Sequence, residues 1–335
     1  MESSEATTVS VLQRNVFCYN LEEILVGRIQ DRLQHTIEIG VLMSIEIQTG
    51  RQPSPQLRVG LIGDPVGHSF SPRFQQPAFD ALGIPARYEL WHTPAKQLIE
   101  RIRSLCEPDC LGANVTIPHK EAVLPLLDKI DPLATRIGAV NTIVHHDDYL
   151  YGYNTDAMGL LHALHEQGLG TKEQNKISLR GYNALLLGAG GAARAAAFAL
   201  VDAGVEQLII LNRHLERAQH LATDIQQHYD RPVFSLNDPS FLIPRASSLI
   251  INATSVGLHE DISPLPAKIL AHYDPDTFVY DMIYNPTQTY LLCQARLMNF
   301  RTANGLSMLL HQGAQSFSLW TNQPAPIEIM RRSLM

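Results

Sequence analysis

Short apolar runs alternate with amphipathic segments along most of the chain, which is the pattern of an α/β fold. The first predicted strand is Leu57–Ile62, and an amphipathic helix is predicted from Pro72 to Leu82. Strands and helices continue to alternate at Tyr88–Trp91, Ala95–Leu105, Gly112–Thr116 and Glu121–Leu127, and a hairpin follows at Ala139–Val144 and Leu150–Tyr153. These segments predict a first α/β unit.

A second series of strands begins at Asn183–Leu187, where the apolar run is unbroken. Unbroken runs are typical of parallel strands that are covered on both faces. Similar runs at Gln207–Leu211, Ser248–Asn252 and Thr277–Asp281 extend the predicted sheet, and helical patterning returns from Gly305 onward. The chain is therefore expected to contain two α/β domains.

Residues 1–56 do not follow this pattern. A helix is predicted after a cap at Asn20, because apolar residues then repeat every four positions from Leu21 to Leu33. Residues 37–47 alternate like a strand, and the proline-containing segment Gly50–Pro55 predicts a linker. No candidate chemical group stands out in this N-terminal extension, and Met43 is a second candidate for the first residue of the protein.

Composition and charge narrow the class of protein. The chain has 335 residues, of which 45% are hydrophobic and 18% charged, as expected for about two globular domains. Its net charge of −7 argues against a dedicated nucleic-acid-binding surface. The cysteines are too scattered for a disulfide framework, and Cys106 and Cys110 lack a second ligand pair, so no metal site is expected. The sequence has no long apolar span and no signal peptide, and a cytoplasmic protein is expected.

The most informative motif follows the strand Asn183–Leu187, where small residues lead directly into a predicted helix. Gly188 suits a tight turn, Gly190 lets the backbone approach a pyrophosphate, and Ala193 allows close packing of helix on strand. The helix N-terminus also offers free N–H groups to a phosphate. An isolated glycine motif can be a purely structural turn, but this position between strand and helix favours dinucleotide binding. The residues expected to contact the dinucleotide here are Gly188, Ala189, Gly190, Gly191 and Ala192.

The end of the next strand indicates which dinucleotide binds. NAD-binding proteins usually carry an acidic residue about 20 residues after the motif, which accepts a hydrogen bond from the ribose 2′-hydroxyl group. Here the strand ends in Asn212 and Arg213, Arg217 follows four residues later, and Glu216 lies beyond the strand tip. Guanidinium groups can bind a 2′-phosphate, so the sequence favours NADP. Exposure at the start of a helix is an alternative explanation for Arg217.

Four further segments are polar near predicted strand ends, where α/β proteins place their ligands. They are residues 68–72, 112–120, 138–142 and 152–156. Together they supply hydroxyl and amide groups, one ammonium group and one carboxylate, which suit a polyhydroxylated acid. Beside a dinucleotide site, they predict a dehydrogenase that transfers a hydride to or from such an acid.

The same segments carry the motifs of a known family. They are His-Ser-x-Ser-Pro at 68–72, Asn-Val-Thr-x-Pro-x-Lys at 114–120, Ala-Val-Asn-Thr at 139–142, Asn-Thr-Asp at 154–156, Gly-Ala-Gly-Gly-Ala at 188–192, Asn-Arg-x-x-x-Arg at 212–217, and three later segments at 251–257, 280–286 and 305–312. With these motifs in this order, residues 57–330 closely resemble the shikimate dehydrogenases. His214 and Gln75 depart from the family pattern, in which threonine and histidine are common at these positions.

The resemblance implies an NADP-linked interconversion of 3-dehydroshikimate and shikimate in chorismate and aromatic amino acid biosynthesis. It also implies an α/β fold with a discontinuous substrate-binding and catalytic domain, residues 57–157 and 305–335. Residues 158–304 would form a Rossmann-like NADP-binding domain with a parallel sheet, and the substrate would bind in the cleft between the domains. Nucleic acid and membrane are not expected as partners, and the protein is expected to be a monomer or a homodimer.

The resemblance further assigns roles to residues of the matching motifs. The residues implied to bind the substrate carboxylate are Ser69, Ser71 and Tyr284, and those implied to bind ring hydroxyl groups are Thr116, Asn141 and Gln312. Those that would complete the cofactor site are Asn212, Arg213, Arg217, Met282 and Gly305. The implied catalytic pair is Lys120 and Asp156.

Lys120 and Asp156 have the chemistry that an alcohol oxidation requires. When the alcohol carbon loses a hydride, its hydroxyl group must lose a proton to a nearby acceptor. Lys120 could accept this proton in its neutral form, or stabilise the developing alkoxide charge in its charged form. The sequence leaves open which of the two residues handles the proton, and a structural salt bridge is the alternative interpretation of the pair.

Two other functions are compatible with the motifs. A dual-specificity quinate/shikimate dehydrogenase would share them, although quinate-specific members tend to prefer NAD, and Arg213 argues against that preference. A non-catalytic ligand-binding regulator of the same fold is the second alternative. The presence of Lys120, Asp156 and both serines of the first motif disfavours it.

The N-terminal extension is expected to be dispensable for activity. A shortened protein that starts at Gln56 should fold and keep most of the wild-type activity, because residues 1–55 carry no predicted site residue. The rate of shikimate oxidation by both proteins, with circular dichroism to confirm folding, measures this. A folded but shortened protein that has lost more than about tenfold in rate would instead place the extension at the site or at an interface.

Overall fold

The computed structural model describes residues 56–174, 176–242 and 248–335, and within them the chain forms two six-stranded sheets. The strands of the first sheet are β1 (Leu57–Gly63), β2 (Ala86–His92), β3 (Cys110–Val115), β4 (Lys129–Ile130), β5 (Thr142–His146) and β6 (Tyr149–Tyr153). Their order across the sheet is β2-β1-β3-β5-β6-β4. Strands β1, β2 and β3 run parallel, whereas β5 pairs antiparallel with both β3 and β6. The first sheet is therefore mixed.

The second sheet is entirely parallel. A separate hairpin of β7 (Thr171–Glu173) and β8 (Lys176–Ser178) precedes it. The strands of the second sheet are β9 (Asn183–Leu187), β10 (Gln207–Leu211), β11 (Val233–Leu236), β12 (Ser248–Asn252), β13 (Phe278–Asp281) and β14 (Arg301–Asn304). Their order is β11-β10-β9-β12-β13-β14, so the strand order switches direction between the neighbouring strands β9 and β12. Ligands of open α/β sheets bind at such a switch point, outside the carboxyl ends of the strands.

Helices alternate with the strands through both sheets, and this confirms the predicted α/β fold class. They are α1 (Ser71–Ala81), α2 (Leu98–Arg103), α3 (Pro132–Ile137), α4 (Asp156–Glu166), α5 (Gly191–Asp202), α6 (Leu215–Gln226), α7 (Ala267–Leu270), α8 (Tyr290–Leu297), α9 (Leu306–Thr321) and α10 (Ile327–Leu334). None of them, within the ranges described, has the length and apolar composition that a membrane span requires.

The predicted strands of the second sheet agree closely with the structure. The runs at Asn183–Leu187, Gln207–Leu211 and Ser248–Asn252 form β9, β10 and β12 with these bounds. The predicted hairpin is also present, and its turn places Asp147 and Asp148 at positive φ. The helix and strand predicted before residue 48 lie outside the described residues.

One predicted helix is wrong. Residues Glu121–Leu127 form only a short 3₁₀ turn at Leu124–Leu126. Pro125 lies in the middle of this segment, where it removes one backbone donor and its ring clashes with the carbonyl group four residues earlier. The chain therefore turns here instead of continuing as an α-helix.

Helix α5 packs closely on the second sheet because its buried face consists of small residues. Ala193, Ala195, Ala196 and Ala197 are all fully buried. Ala193 is the last position of the glycine motif, and its burial explains why a small residue stands there. The N-terminus of α5 is thereby held at the carboxyl end of β9.

Helices α4 and α9 also cross closely, at Gly159. A Cβ atom placed on Gly159 would lie 2.8 Å from the Cβ atom of Gln312, so only glycine fits without displacement. Helix α4 begins at Asp156, less than one turn before this crossing. The crossing therefore brings Gln312 of α9 close to the first turn of α4.

Glu166, the last residue of α4, connects this helix with both C-terminal helices. Its carboxylate accepts hydrogen bonds from Ser307 at the start of α9 and from Arg331 of α10, the latter at 2.7 Å. Burial alone would raise the pKa of Glu166, but the hydrogen bonds from Arg331, Ser307 and His311 outweigh it and bring the pKa to about 2. The ionised carboxylate thus stabilises the folded state.

Glu166→Gln should lower the melting temperature at pH 7 by about 1–3 °C, because the partly exposed ion pair contributes about 1 kcal/mol or less. The unfolded carboxyl group has a pKa of about 4.3, so the stabilisation is complete above that pH and is lost as the pH falls towards 2. The difference in melting temperature between wild type and variant should therefore shrink from pH 7 to pH 3.

Glu206→Gln is the matched control, since Glu206 forms a loose ion pair at 3.9 Å with Arg231, and a glutamine oxygen can still accept the hydrogen bond that the Gly181 N–H group donates at 3.2 Å. It should change the melting temperature little at either pH. A wild-type advantage over Glu166→Gln that stayed constant or grew on acidification would contradict the assigned role of the Glu166 carboxylate.

Candidate active site

Three segments of the first sheet meet at one point, and backbone hydrogen bonds hold them together. The main chain of Asn141 accepts from Val115 at 2.8 Å and donates to Tyr153 at 3.0 Å. The N–H group of Val140 donates to the carbonyl oxygen of Lys120 at 2.8 Å. The loop after β3, the turn before β5 and the end of β6 are therefore fixed relative to one another before any side chain is considered.

Lys120 and Asp156 meet at this point. The Nζ atom of Lys120 donates a hydrogen bond to Oδ2 of Asp156, and the two side chains are only 12% and 7% exposed. Asp156 is the first residue of α4, where the helix dipole favours a negative charge. The structure thus brings the two predicted catalytic residues together as a nearly buried ion pair, which strengthens their electrostatic interaction.

Asn141 connects this pair to Gln312. Its Nδ2 atom lies 2.9 Å from Oδ1 of Asp156 and 3.3 Å from Oε1 of Gln312. Its Oδ1 atom accepts from the backbone N–H group of Thr155 at 2.7 Å, which fixes the orientation of the amide. Asn141 and Gln312 are both buried, and of these two residues predicted to bind hydroxyl groups, Asn141 contacts the ion pair and Gln312 contacts Asn141.

A buried polar network behind Asn141 was not found by sequence reasoning. The hydroxyl group of Ser316 lies 3.0 Å from Nδ2 of Asn114, 2.8 Å from Oγ1 of Thr142 and 3.2 Å from Oγ1 of Thr155. The hydroxyl group of Tyr88 donates to Oδ1 of Asn114 at 2.8 Å. Asn114 and Thr155 stood in recognised motifs, but nothing in the sequence marked Ser316 of α9.

The residues predicted to bind a carboxylate lie at the other end of this network. Ser69 donates to the hydroxyl oxygen of Ser71 at 3.1 Å, and the ring of Tyr284 packs on Phe70 with ring centroids 5.2 Å apart. Burial raises the pKa of Tyr88 above its usual range, and a hydrogen bond with Ser71 opposes this effect. The hydrogen bonds of the network run from Tyr88 through Asn114, Thr142 and Asn141 to Asp156.

Thr116 and Gln75 complete this part of the site. Thr116 follows β3, is half-buried, and donates its backbone N–H group to Ile62 at 2.8 Å. Gln75 is fully buried and donates to the carbonyl oxygen of Gly313 at 2.9 Å. The glutamine that departs from the family pattern thus ties α1 to α9 and replaces histidine as a hydrogen-bonding residue.

The glycine motif has the geometry that a dinucleotide requires. Gly188 has a φ of +112°, which other residues rarely adopt, and a Cβ atom there would lie 3.1 Å from the carbonyl oxygen of Ala253. Gly190 precedes α5, and a Cβ atom on it would meet no atom of the described residues within 4 Å. Open space beside a glycine at a helix N-terminus fits a pyrophosphate group. Ala189, Gly191 and Ala192 flank this position in the sequence.

The predicted phosphate-binding residues follow β10, the strand next to β9. Asn212 donates through Nδ2 to the carbonyl oxygen of His214 at 2.8 Å, which shapes the turn before α6. Arg213 and Arg217 are exposed, and Nη2 of Arg217 lies 3.7 Å from the carboxylate of Glu121. Both guanidinium groups are therefore accessible beside the carboxyl end of the parallel sheet.

Met282 and Gly305 lie together at the ends of β13 and β14. A Cβ atom on Gly305 would collide with the carbonyl oxygen of Met282, so glycine is required there. Met282 donates its N–H group to Asn252 at 2.9 Å, and Gly305 donates to Ile283 at 3.1 Å. The two predicted residues, which follow neighbouring strands, thus contact each other at the carboxyl edge of the second sheet.

Asp281, which precedes Met282, was not among the residues predicted from the sequence. It is fully buried and accepts hydrogen bonds from Thr289 at 2.6 Å and from Asn252 and Ile283 at 3.0 Å each. Burial raises the pKa of Asp281, and the hydrogen bonds from Thr289, Ile283 and Asn252 oppose it. A polar residue at the end of an otherwise apolar buried strand was the available sequence signal.

Comparison with known proteins agrees with this arrangement. Residues 61–143 match the family model described as the shikimate dehydrogenase substrate binding domain. Residues 171–258 match the model of shikimate / quinate 5-dehydrogenase, and residues 305–335 match the shikimate 5′-dehydrogenase C-terminal domain. Along the chain, the match at residues 171–258 lies between the other two.

Individual relatives cover most of the chain. The shikimate dehydrogenase (NADP(+)) of Symbiobacterium thermophilum is 40% identical over 86% of this chain and 96% of its own length. That of Moorella thermoacetica is 43% identical over 82% of this chain and 92% of its own length. The crystal structure of shikimate 5-dehydrogenase from Thermus thermophilus, in complex with NADP(H) and shikimate, superposes with a TM-score of 0.71 at 37% identity, covering 83% of this chain and 98% of that one. The chain therefore belongs to the shikimate dehydrogenase family.

Proposed function

We propose that this protein is an NADP-dependent shikimate dehydrogenase that interconverts 3-dehydroshikimate and shikimate. The observation that carries the proposal is the nearly buried Lys120–Asp156 ion pair, held by Asn141 beside Gln312. Family membership supports the same reaction, because the relatives are named for it. The proposed reaction belongs to aromatic amino acid biosynthesis. We propose that it takes place in the cytoplasm and that the protein acts as a monomer or a homodimer.

Substrate binding is proposed for polar groups at the two ends of the buried network. Ser69, Ser71 and Tyr284 offer three hydroxyl groups to the substrate carboxylate, which accepts hydrogen bonds from neutral donors. The residues proposed for the ring hydroxyl groups are Thr116, Asn141 and Gln312. The hydrogen bonds that run from Tyr88 through Asn114 and Asn141 to Asp156 support this division, because they fix the polar core of the site relative to the ion pair.

Proton transfer is proposed for Lys120 and Asp156 acting as a unit. During oxidation the substrate hydroxyl group loses its proton to the pair as its carbon loses a hydride, and the reduction returns that proton to the carbonyl oxygen. Asn141 holds the Asp156 carboxylate through Oδ1, which leaves Oδ2 to Lys120. The near burial of both side chains limits competing exchange with water.

NADP is proposed as the cofactor, which supplies the hydride in the reduction. The proposed pyrophosphate site is the open space beside Gly190 together with the N-terminal N–H groups of α5, next to Gly188, Ala189, Gly191 and Ala192. The residues proposed to bind the ribose 2′-phosphate are Asn212, Arg213 and Arg217. Met282 and Gly305 are proposed to lie against the reactive end of the cofactor, since they contact each other at the carboxyl ends of β13 and β14.

The proposed domains are residues 57–157 with 305–335 for substrate binding and catalysis, and residues 158–304 for NADP. Strands β1 to β6 all fall within the first segment and β9 to β14 all fall within the second, which supports these boundaries. Helix α9 returns to the first sheet, where Trp320 donates to the carbonyl oxygen of Ile143 at 2.9 Å. The N-terminal extension, residues 1–56, is left without a proposed role.

The function and the cofactor preference are tested together by measuring kcat/KM with shikimate or quinate and with NADP or NAD. Shikimate with NADP should be the best of the four combinations. Two charge-assisted contacts to the 2′-phosphate allow a preference of roughly 10²–10⁴ for NADP over NAD, and the exposure of Arg213 and Arg217 favours the lower end. Comparable values for the two cofactors would refute the roles of the arginines, and a best rate with quinate would favour the dual-specificity alternative.

Arg213→Ala should reduce this preference, chiefly by raising the KM for NADP. Arg231→Ala is the matched control, since Arg231 lies in the same part of the chain and forms only a loose ion pair with Glu206. The control should leave the preference unchanged. An equal loss of NADP and NAD activity in Arg213→Ala would assign that residue a structural role instead.

Lys120→Ala should lower kcat by about 10²–10⁴, the usual contribution of a general acid or base. Asp156→Asn should also lower kcat, and the double variant should lose less than the product of the two single effects, because the residues act as a unit. The dissociation constant of NADPH, measured by fluorescence, should change little in each variant. Lys129→Ala, which removes an exposed lysine, is the control and should retain the wild-type rate. Near-wild-type turnover in Lys120→Ala would remove the catalytic assignment.

A further inference from the structure

Gly190 and Gly191 are neighbours in one motif but lie in different surroundings. A Cβ atom on Gly190 would meet open space, whereas a Cβ atom on Gly191 would lie 3.0 Å from Cβ of Lys120 and 3.7 Å from Cβ of Ala139. The general dinucleotide motif places no requirement on the residue after its second glycine. The glycine at position 191 therefore needs another explanation, and the contact with Lys120 provides one.

Arg194, one turn further along α5, reaches the same region. Its Nε atom donates to the carbonyl oxygen of Ile137, the last residue of α3, at 2.5 Å. Its Nη2 atom donates to Asp224 of α6 at 2.7 Å, and the side chain is only 12% exposed. A planar guanidinium group with two such partners has little freedom to move. Arg194 thus connects α5 and α6, which follow strands of the parallel sheet, to the end of α3, which lies between strands of the mixed sheet.

The turn after Ile137 continues this connection to Lys120. Gly138 has a φ of +69°, and a Cβ atom there would lie 2.8 Å from Nη2 of Arg194, so the turn follows the guanidinium group closely. Two residues later, Val140 donates its N–H group to the carbonyl oxygen of Lys120 at 2.8 Å. The segment 137–140 therefore contacts Arg194 at one end and the Lys120 backbone at the other.

We propose that Gly191 and Arg194 are positioning residues that place Lys120 for proton transfer. Gly191 leaves room for the Lys120 side chain against the first turn of α5, and Arg194 fixes the turn that holds the Lys120 backbone. The cofactor helix thereby sets the distance between the lysine ammonium group and the substrate, in addition to binding phosphate. This inference rests on the proposed function, because its effects are read as shikimate oxidation.

The test is a double-mutant cycle between Arg194→Met and Lys120→Ala. In the wild-type background Arg194→Met should lower kcat by about tenfold to a hundredfold, the scale that follows from displacing a reacting group by up to 1 Å. In the Lys120→Ala background the same change should have no further effect, because no ammonium group remains to be positioned. Arg194→Lys, which can keep one of the two hydrogen bonds, should restore part of the rate. Arg231→Met should leave kcat unchanged in both backgrounds.

The two glycines provide a second test with a readout besides turnover. Gly191→Ala should lower kcat at least about fivefold, because the lysine must move from a contact tighter than normal packing. The NADPH dissociation constant should change much less, because Gly191 offers the pyrophosphate only its backbone N–H group, which alanine keeps, and its Cβ position faces Lys120. Gly190→Ala should instead raise the NADPH dissociation constant, since its methyl group would fill the space proposed for the pyrophosphate. This test remains informative if Arg194→Met fails to fold.

Several outcomes would overturn the inference. Equal losses from Arg194→Met in the two backgrounds would mean that the arginine acts on the fold and not through Lys120. A Gly191→Ala protein with wild-type kcat, or one whose loss lies only in NADPH affinity, would overturn the role of Gly191. Failure of the proposed function is distinguishable, because the wild-type protein would then not oxidise shikimate at a useful rate with NADP.

Discussion

The Lys120–Asp156 ion pair is the interaction on which the rest of the site depends. Removing two charges from water costs several kcal/mol for each ion, and the attraction between them repays this only when the geometry is good and the remaining polar atoms are satisfied. The protein meets this condition through Asn141, which binds Oδ1 of Asp156, and through the N-terminus of α4. The strand ends that fix Asn141 are therefore a requirement of the pair, since a displaced amide would leave a buried carboxylate oxygen without a donor.

The same constraint explains the polar core of the mixed sheet. Asn114, Thr142, Thr155 and Ser316 would each be costly to bury alone, yet each has hydrogen-bonding partners within this group. A satisfied network of this kind admits few alternative arrangements and so fixes the residues that border it. Because Ser316 belongs to α9, the network also anchors the C-terminal helix that carries Gln312.

A feature could be predicted from the sequence when the residues that determine it lie close together along the chain. Strands β9, β10 and β12 are buried on both faces, so their apolar runs alone define them, whereas the edge strands β11 and β14 are partly exposed and carry no such signal. The candidate site residues were predicted from motifs in which the informative residues lie close together along the chain. Ser316 and Arg194 were missed because their partners lie 202 and 57 residues away, at Asn114 and Ile137, and no pattern within a motif encodes contacts at that separation.

The glycine motif illustrates how one stretch of sequence can meet two unrelated constraints. Gly188 is small because the backbone of Ala253 lies close to it, and Ala193 is small because it is buried where α5 packs on the parallel sheet. Gly190 is small at a position where a ligand has room to approach. Gly191 is small because the side chain of Lys120, from the loop after β3, occupies the space beside it. Close packing of Lys120 against the first turn of α5 resists displacement steeply, so it restricts the position of the lysine in addition to the ion pair with Asp156.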